Sequence, residues 1–391
     1  MLYFVLIIGM FLAFFMKNQR LSARIYTGIL MVLASFRYGI GADYFAYQYL
    51  YAQLYPNVVS ELLYGYEKQE AGFRALGSLV KSFGASYQIY LAVLAVMTLY
   101  FIYRISVEYS ENPTLSLVVY YAFFYFVWVY SGLRQGLAMS VGVYFLLRAM
   151  DKNKNYSFIM VSVLLFTIHT SSAVLLLLYF VVTKFEWTRK SLILVLMGSL
   201  GIAFIPFGLL VDSLSDSISF LERLLPYLDE VFTWRDLLGF QILARLFFIG
   251  LILFYYDRLC NKSSFLRKIV NLYLLSFAFY FALQFSELTA ARISVYGRLL
   301  EIILLPMILT LKMQKLEGRV YLAGLLLLLS LYFVKEVNTM WFQSGLVLDN
   351  SPFVEYISVF NKGDQYYNTY FYYILYYGAT KSTPMNFHMI Q

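Results

Sequence analysis

Apolar runs of about 15 to 21 residues recur from one end of this chain to the other, separated by short polar stretches. A helix needs about 20 such residues to cross the ~30 Å hydrocarbon layer of a bilayer. Within that layer only helices and closed barrels satisfy their own backbone groups. The chain is 61% hydrophobic and 13% charged, against roughly 25% charged in an ordinary soluble domain. A water-soluble fold could not cover that much apolar surface. The pattern predicts an all-α polytopic membrane protein. Its spans are read at 2–16, 23–36, 86–103, 115–131, 133–147, 156–168, 170–183, 191–211, 238–256, 269–285, 294–311 and 320–334. That is about 12 transmembrane helices, within a range of about 11 to 14. The 38 Tyr and 36 Phe suit side chains held at headgroup depth.

Charge sets the expected orientation. Most of the 30 Lys and Arg fall on alternate short segments, at residues such as Lys152, Lys154, Arg189, Lys190, Lys262, Arg267, Lys268, Lys312, Lys315 and Arg319, while most of the 22 acidic residues fall on the opposite set. The positive-inside rule makes the first set cytoplasmic. The net charge of +8 then lines the anionic inner leaflet and calls for no nucleic acid. The first apolar run starts at Leu2 with no basic residue before it, and Lys17, Arg20 and Arg24 follow it. It reads as a retained helix with its N-terminus outside. The single cysteine, Cys260, excludes an intrachain disulfide framework.

The organisation expected is one transmembrane domain over 1–334 and a Tyr-rich tail over 335–391, in which Tyr366 to Tyr377 lies in the outer interface or forms a further crossing. Two outer segments are large. Segment 37–85 carries an interfacial helix over roughly 67–82, with Phe73, Leu76, Leu79, Val80 and Phe83 on one side and Lys68, Glu70, Arg74 and Lys81 elsewhere. Loop 212–237 is acidic, with room for another short helix. From Tyr156 to Phe185 the chain is apolar except around His169, with basic flanks. It reads as a hairpin of two short helices turning at Ile168 to Ser172, an arrangement that survives in a membrane only where protein or a water-filled cavity covers the turn.

Arginines at the outer ends of helices are the sharpest anomaly: Arg37, Arg134, Arg292 and Arg298, with Arg245 deeper in its span. A guanidinium within a membrane helix costs about 2.5 to 3.5 kcal/mol on insertion scales, so each needs a partner or a task. One reading is internal pairing, as for Arg298 with Glu301 at i, i+3. The other is an anionic ligand, because arginine grips phosphate oxygens bidentately and stays charged at any working pH. Arg134 and Gln135 follow the tight turn Ser131-Gly132-Leu133, and Arg292 and Tyr296 lie one helical turn apart. Asp43, in Gly41-Ala42-Asp43-Tyr44, is a base, an arginine's partner or a helix cap. His169 is a packed residue or a proton acceptor. His388 reads as inert. No HExxH, Cys pair or paired-aspartate element is present, so the expected chemistry uses neither metal nor cofactor.

Arg37-Tyr38, Gly41-Ala42-Asp43-Tyr44 and Tyr47, then Glu70, Gly72 and Phe73, then Gly132-Leu133-Arg134-Gln135 with Ala138, then Ile168-His169-Thr170-Ser171, and finally Arg292 with Tyr296 resemble the EpsG family of Wzy-like polysaccharide polymerases. The family's usual Gly-Thr-Asp is Gly-Ala-Asp here. The resemblance implies a GT-C-like glycosyltransferase of the bacterial cytoplasmic membrane. Such an enzyme joins oligosaccharide repeat units carried on undecaprenyl diphosphate at the outer face, for O-antigen, capsule or exopolysaccharide. Donor and acceptor would both be lipid-linked glycans, with a chain-length regulator and a flippase as partners. On that reading Arg134 and Arg292, joined by Arg37 and Arg298, hold the diphosphate, and His169 or Asp43 deprotonates the acceptor. Gln135, Tyr38, Tyr44, Tyr47, Tyr296 and Arg245 then line the substrate. No close carboxylate pair is visible, so inversion is expected. A lipid-linked glycan flippase would also carry outer arginines, but would favour paired broken helices. An O-antigen ligase shares the donor, and an O-acetyltransferase would gather its His and Arg at the inner face.

Overall fold

The computed structural model describes residues 1–65, 69–207, 232–343 and 356–360, and these residues are helical, without a named strand among them. Four helices are long and apolar enough to cross a membrane: Tyr87–Tyr109, Pro113–Ser131, Ser264–Ala282 and Lys315–Phe342. Leu2–Ala13, Asn155–Ile168, Thr170–Lys184 and Phe240–Phe254 are apolar but shorter. The helix starts follow local chemistry. Asn18, Asn57, Asn112 and Ser263 each accept a backbone N–H from three residues on, at 2.9 to 3.0 Å. Pro113 occupies the first turn behind Asn112, where its missing N–H costs nothing.

The chain divides into two compact units, Met1–Glu108 with Asn112–Leu137 and the chain from Arg319, and Tyr109–Glu111 with Ala138–Gly318. In the first, every residue of Pro113–Tyr120 is buried, and the helix continues through Tyr121–Ser131 in π geometry. Its end is closed by the Gly132 N–H donating to Val127 O at 2.7 Å, and such wide turns recur at functional sites. Backbone meets backbone closely here. A Cβ on Gly41 would lie 2.4 Å from Tyr130 O, and one on Gly136 1.9 Å from Trp128 O. Residues 356–360 return to this region. Ile357 O accepts the Tyr38 N–H at 2.9 Å, Val359 N–H donates to Phe36 O at 3.0 Å, and Tyr356 Oη donates to Leu33 O at 2.9 Å.

In the second unit Ser264–Ala282 is the buried centre, with thirteen of its nineteen residues buried. Glu287–Arg298 packs on it so tightly that a Cβ on Gly297 would overlap Ser276 Cβ at 2.2 Å, the close approach that small residues allow between membrane helices. The expected hairpin is present as Asn155–Ile168, a 3₁₀ turn Thr170–Ala173 and Val174–Lys184.

Three expectations need correction. The helix expected over 294–311 is two, Glu287–Arg298 and Glu301–Ile308. The break falls where Leu300 N–H and Ile302 N–H bond three residues back, to Gly297 O and Leu299 O. The outer segment holds two helices beyond the one expected, Tyr44–Gln53 and Val58–Tyr64. The interfacial helix begins at Ala71, and its buried face is not the apolar side expected: of that side Phe73 is buried but Leu79 and Phe83 are exposed, while Arg74, Gly77 and Ser78 are buried with Phe73. Lys68, most of loop 212–237 and the tail segments containing Tyr366 to Tyr377 and His388 lie outside the described residues; within 232–237 a short helix spans Trp234–Leu237.

Gly136→Ala and Gly41→Ala should each lower stability by about 2 kcal/mol or more, since backbone must move to admit the methyl. Gly198 has nothing within 4 Å of its would-be Cβ, so Gly198→Ala should be neutral or mildly stabilising. Thermal unfolding of the three variants in one detergent checks the contrast.

Candidate functional site

Arg37 ends the helix Gln19–Phe36 and is wholly buried, at 0% exposure. Its Nη1 donates to Ala34 O at 2.8 Å, Nε to Ile40 O at 3.2 Å and Nη2 to Tyr130 O at 3.0 Å, with the guanidinium 4.5 Å from the Tyr130 ring centroid. One side chain thus ties the helix end, the following loop and the π segment together. The loop turns with Gly39 at φ +65° and Gly41 at φ +113°, backbone that side-chain-bearing residues rarely adopt. Ala42 N–H donates to Ser131 Oγ at 3.1 Å. Asp43 is exposed and sits at the start of Tyr44–Gln53 without a side-chain bond to cap it.

Tyr38, Tyr44 and Tyr47, expected to meet sugar rings, are all buried. Tyr38 and Tyr44 rings pack at 5.5 Å, Tyr44 and Tyr87 at 5.4 Å, and Tyr47 and Phe73 at 5.9 Å. The Tyr47 hydroxyl accepts from Arg134 Nε at 3.4 Å. Burial raises the Tyr47 phenol above its ordinary pKa, the Arg134 charge opposes this, and the nearby Asp43 charge adds to it. Arg134 opens the helix Leu133–Lys152, and its Nη1 forms an ion pair with Glu70. The side chain is 27% exposed, so the guanidinium is held by two partners and still reaches the surface. Gln135 is buried.

The second unit carries its own constellation. His169 is half-buried in extended backbone between Asn155–Ile168 and the 3₁₀ turn. Two residues on, Ser171 Oγ is hydrogen-bonded to Tyr296 Oη at 3.0 Å. Tyr296 is wholly buried, whereas Arg292, one turn earlier on the same helix, is exposed. The His169 turn and the Arg292 helix are therefore held together through Ser171, which the sequence reading placed in the turn and in the family resemblance but gave no role. Further along, Arg298 Nε lies 3.5 Å from Glu301 Oε1, as its spacing predicts, and Tyr273 Oη donates to the same oxygen at 3.3 Å. Arg245 is buried with its guanidinium 3.6 Å from the Tyr280 ring centroid, a distance at which the ring face offsets part of the lost hydration.

Of the five outer or buried arginines singled out, Arg37 is spent on carbonyls, Arg298 on a carboxylate and Arg245 on an aromatic face, while Arg134 and Arg292 present their charge at a surface. Glu70 was named in the sequence as part of the interfacial segment and the family resemblance, but nothing there paired it with Arg134. Among the described residues no three His, Cys, Asp or Glu come together to hold a metal ion.

Removing either hydroxyl of the Ser171–Tyr296 bond should cost about 1 kcal/mol. In a double-mutant cycle with Ser171→Ala and Tyr296→Phe, the pair should cost clearly less than the sum of the single losses. Equilibrium unfolding or thermal midpoints of the four proteins read the coupling.

The EpsG family matches residues 20–358 of the chain. No curated protein and no solved structure matches it.

Proposed function

Because the chain belongs to the EpsG family, a Wzy-like polysaccharide polymerase family, we propose that it joins oligosaccharide repeat units carried on undecaprenyl diphosphate at the outer face of the bacterial cytoplasmic membrane. The family supplies the reaction class. The observation that carries the residue assignment is the Ser171–Tyr296 hydrogen bond, which sets the His169 turn against the helix bearing Arg292.

The reaction is a displacement at the anomeric carbon of the donor. The acceptor hydroxyl oxygen forms the new glycosidic bond, the bond to the diphosphate oxygen breaks, and the electron pair leaves with the diphosphate. One such displacement inverts the anomeric centre. The barrier lies in the charge growing on the leaving group and in the acceptor's proton. Arg292 and Arg134 are each read as a phosphate-gripping group, a donor suited to developing negative charge. Arg134 suits this because Glu70 and Tyr47 fix its direction while part of it stays exposed. His169 takes the acceptor proton as general base. Asp43, close enough to influence Tyr47, acts on the Tyr47–Arg134 pair. Arg37, Arg245 and Arg298 hold the surrounding structure in place. The transfer is metal-independent on this reading, with guanidinium groups meeting the diphosphate charge.

Arg134→Ala, Arg292→Ala and His169→Ala should each stop glycan growth at single repeat units displayed outside the membrane, read by glycan length on a gel. Arg292→Lys should restore little, because a point charge does not replace a bidentate fork. Long chains in all three alanine variants would overturn the assignment. Repeat units trapped on the cytoplasmic side would favour a flippase instead.

A further inference from the structure

Glu70, Arg74, Ser78 and Lys81 follow one another at four, four and three residues, a spacing that places them along one face of Ala71–Ser82 and its N-terminal neighbour. Each meets the protein. Glu70 pairs with Arg134. Arg74 Nη1 donates to Glu61 Oε1 and Glu61 O, both at 3.0 Å. Ser78 Oγ donates to Tyr55 O at 2.7 Å. Lys81 Nζ donates to Ala52 O at 2.8 Å, Leu54 O at 2.7 Å and Tyr51 O at 3.2 Å. Those last carbonyls lie at the C-terminal end of Tyr44–Gln53, where a cation also complements the helix dipole. Glu61, itself wholly buried, turns its other oxygen to the Tyr55 N–H at 2.9 Å.

Lys81 therefore ties Ala71–Ser82 to the end of Tyr44–Gln53, Ser78 holds Tyr55 just beyond that end, and Arg74 holds Glu61 of Val58–Tyr64, which itself binds the Tyr55 N–H. Ala71–Ser82 begins beside Glu70 and Tyr44–Gln53 carries Tyr47, the two residues that grip Arg134. We propose that Arg74, Ser78 and Lys81 are positioning residues: by fixing the run from Tyr44–Gln53 through Tyr55 to Val58–Tyr64 against Ala71–Ser82 they set the direction of the Arg134 guanidinium and so the grip on a lipid diphosphate. This rests on the reading of Arg134 as a phosphate-gripping group. A displacement of about 1 Å at such a group is enough to lose on the order of a hundredfold in a positioned interaction, and the polar bonds of the stripe, with the Tyr47–Phe73 ring contact, resist that displacement. The opposite face, with Leu79 and Phe83 exposed, supplies an internal control.

Undecaprenyl diphosphate is the probe, titrated into the full-length protein in phosphatidylcholine nanodiscs, with thermal unfolding run on each variant to confirm equal folding. Arg134→Gln, Arg74→Met and Lys81→Met should each weaken binding on the order of tenfold, and Phe83→Ala should leave it unchanged. In an Arg134→Gln background, Lys81→Met and Arg74→Met should add little further loss, because they act through the missing guanidinium. A merely structural role would instead lower the unfolding midpoint and weaken binding equally in both backgrounds. If Arg74→Met does not fold, Lys81→Met and Ser78→Ala decide the matter. Unchanged binding in Arg134→Gln overturns the phosphate-gripping reading itself. Weakened binding there, with wild-type affinity or fully additive losses in the stripe variants, overturns the positioning role alone.

Discussion

A guanidinium removed from water must be given acceptors, and much of this architecture can be traced to that requirement. Arg37, Arg74 and Arg245 are all buried, and each finds a different solution: backbone carbonyls, a carboxylate, and a tyrosine face with a carboxylate's charge nearby. The carbonyl solution has the widest effect. Satisfying Arg37 draws Ile40 O and Tyr130 O toward one point, which forces the loop across the π segment at a separation only glycine tolerates at position 41. The glycine and the arginine are thus two parts of one constraint, though four residues and a change of conformation separate them.

The carboxylate solution works differently. Arg74 and Glu61 form a buried ion pair, and such pairs gain little net stability once desolvation is counted. Their value lies in geometry: two charges that must meet allow few arrangements of the helices bearing them. The hydrophobic contacts around them, Phe73 against Tyr47 and Tyr90 at 5.9 and 5.8 Å, would tolerate sliding; the ion pair would not.

Much of the helical layout was legible because apolar length is a local signal, and the hairpin turn at His169 was marked by the polar interruption in a long apolar run. Apolar length alone set the starts of three spans at 23, 115 and 269, two to five residues late, because the caps Asn18, Asn112 and Ser263 begin those helices in polar sequence. Tyr44–Gln53 and Val58–Tyr64 escaped because their tyrosines and valines carry no clear 3.6-residue period. The facing of Ala71–Ser82 was misread for a more general reason. The rule that polar residues face outward assumes water outside; here the polar stripe is met by carbonyls and a carboxylate, and Leu79 and Phe83 face out. The arginines were visible as anomalies of placement, but which of them are spent on the fold depends on partners distant in sequence, such as Tyr130 for Arg37 and Glu70 for Arg134. No local pattern encodes those.

The return of residues 356–360 to the end of the second helix ties together points 323 residues apart, from Leu33 to Tyr356. Chains emerge from the ribosome at about 5 to 20 residues per second, so for tens of seconds the Phe36–Tyr38 backbone exists without the groups that complete its hydrogen bonds. Membrane insertion of the early helices must therefore precede closure of this first loop. Residues 356–360 act as a clasp, and a nascent chain halted short of them would hold most of the described helices while leaving the arginine-bearing loop without these bonds.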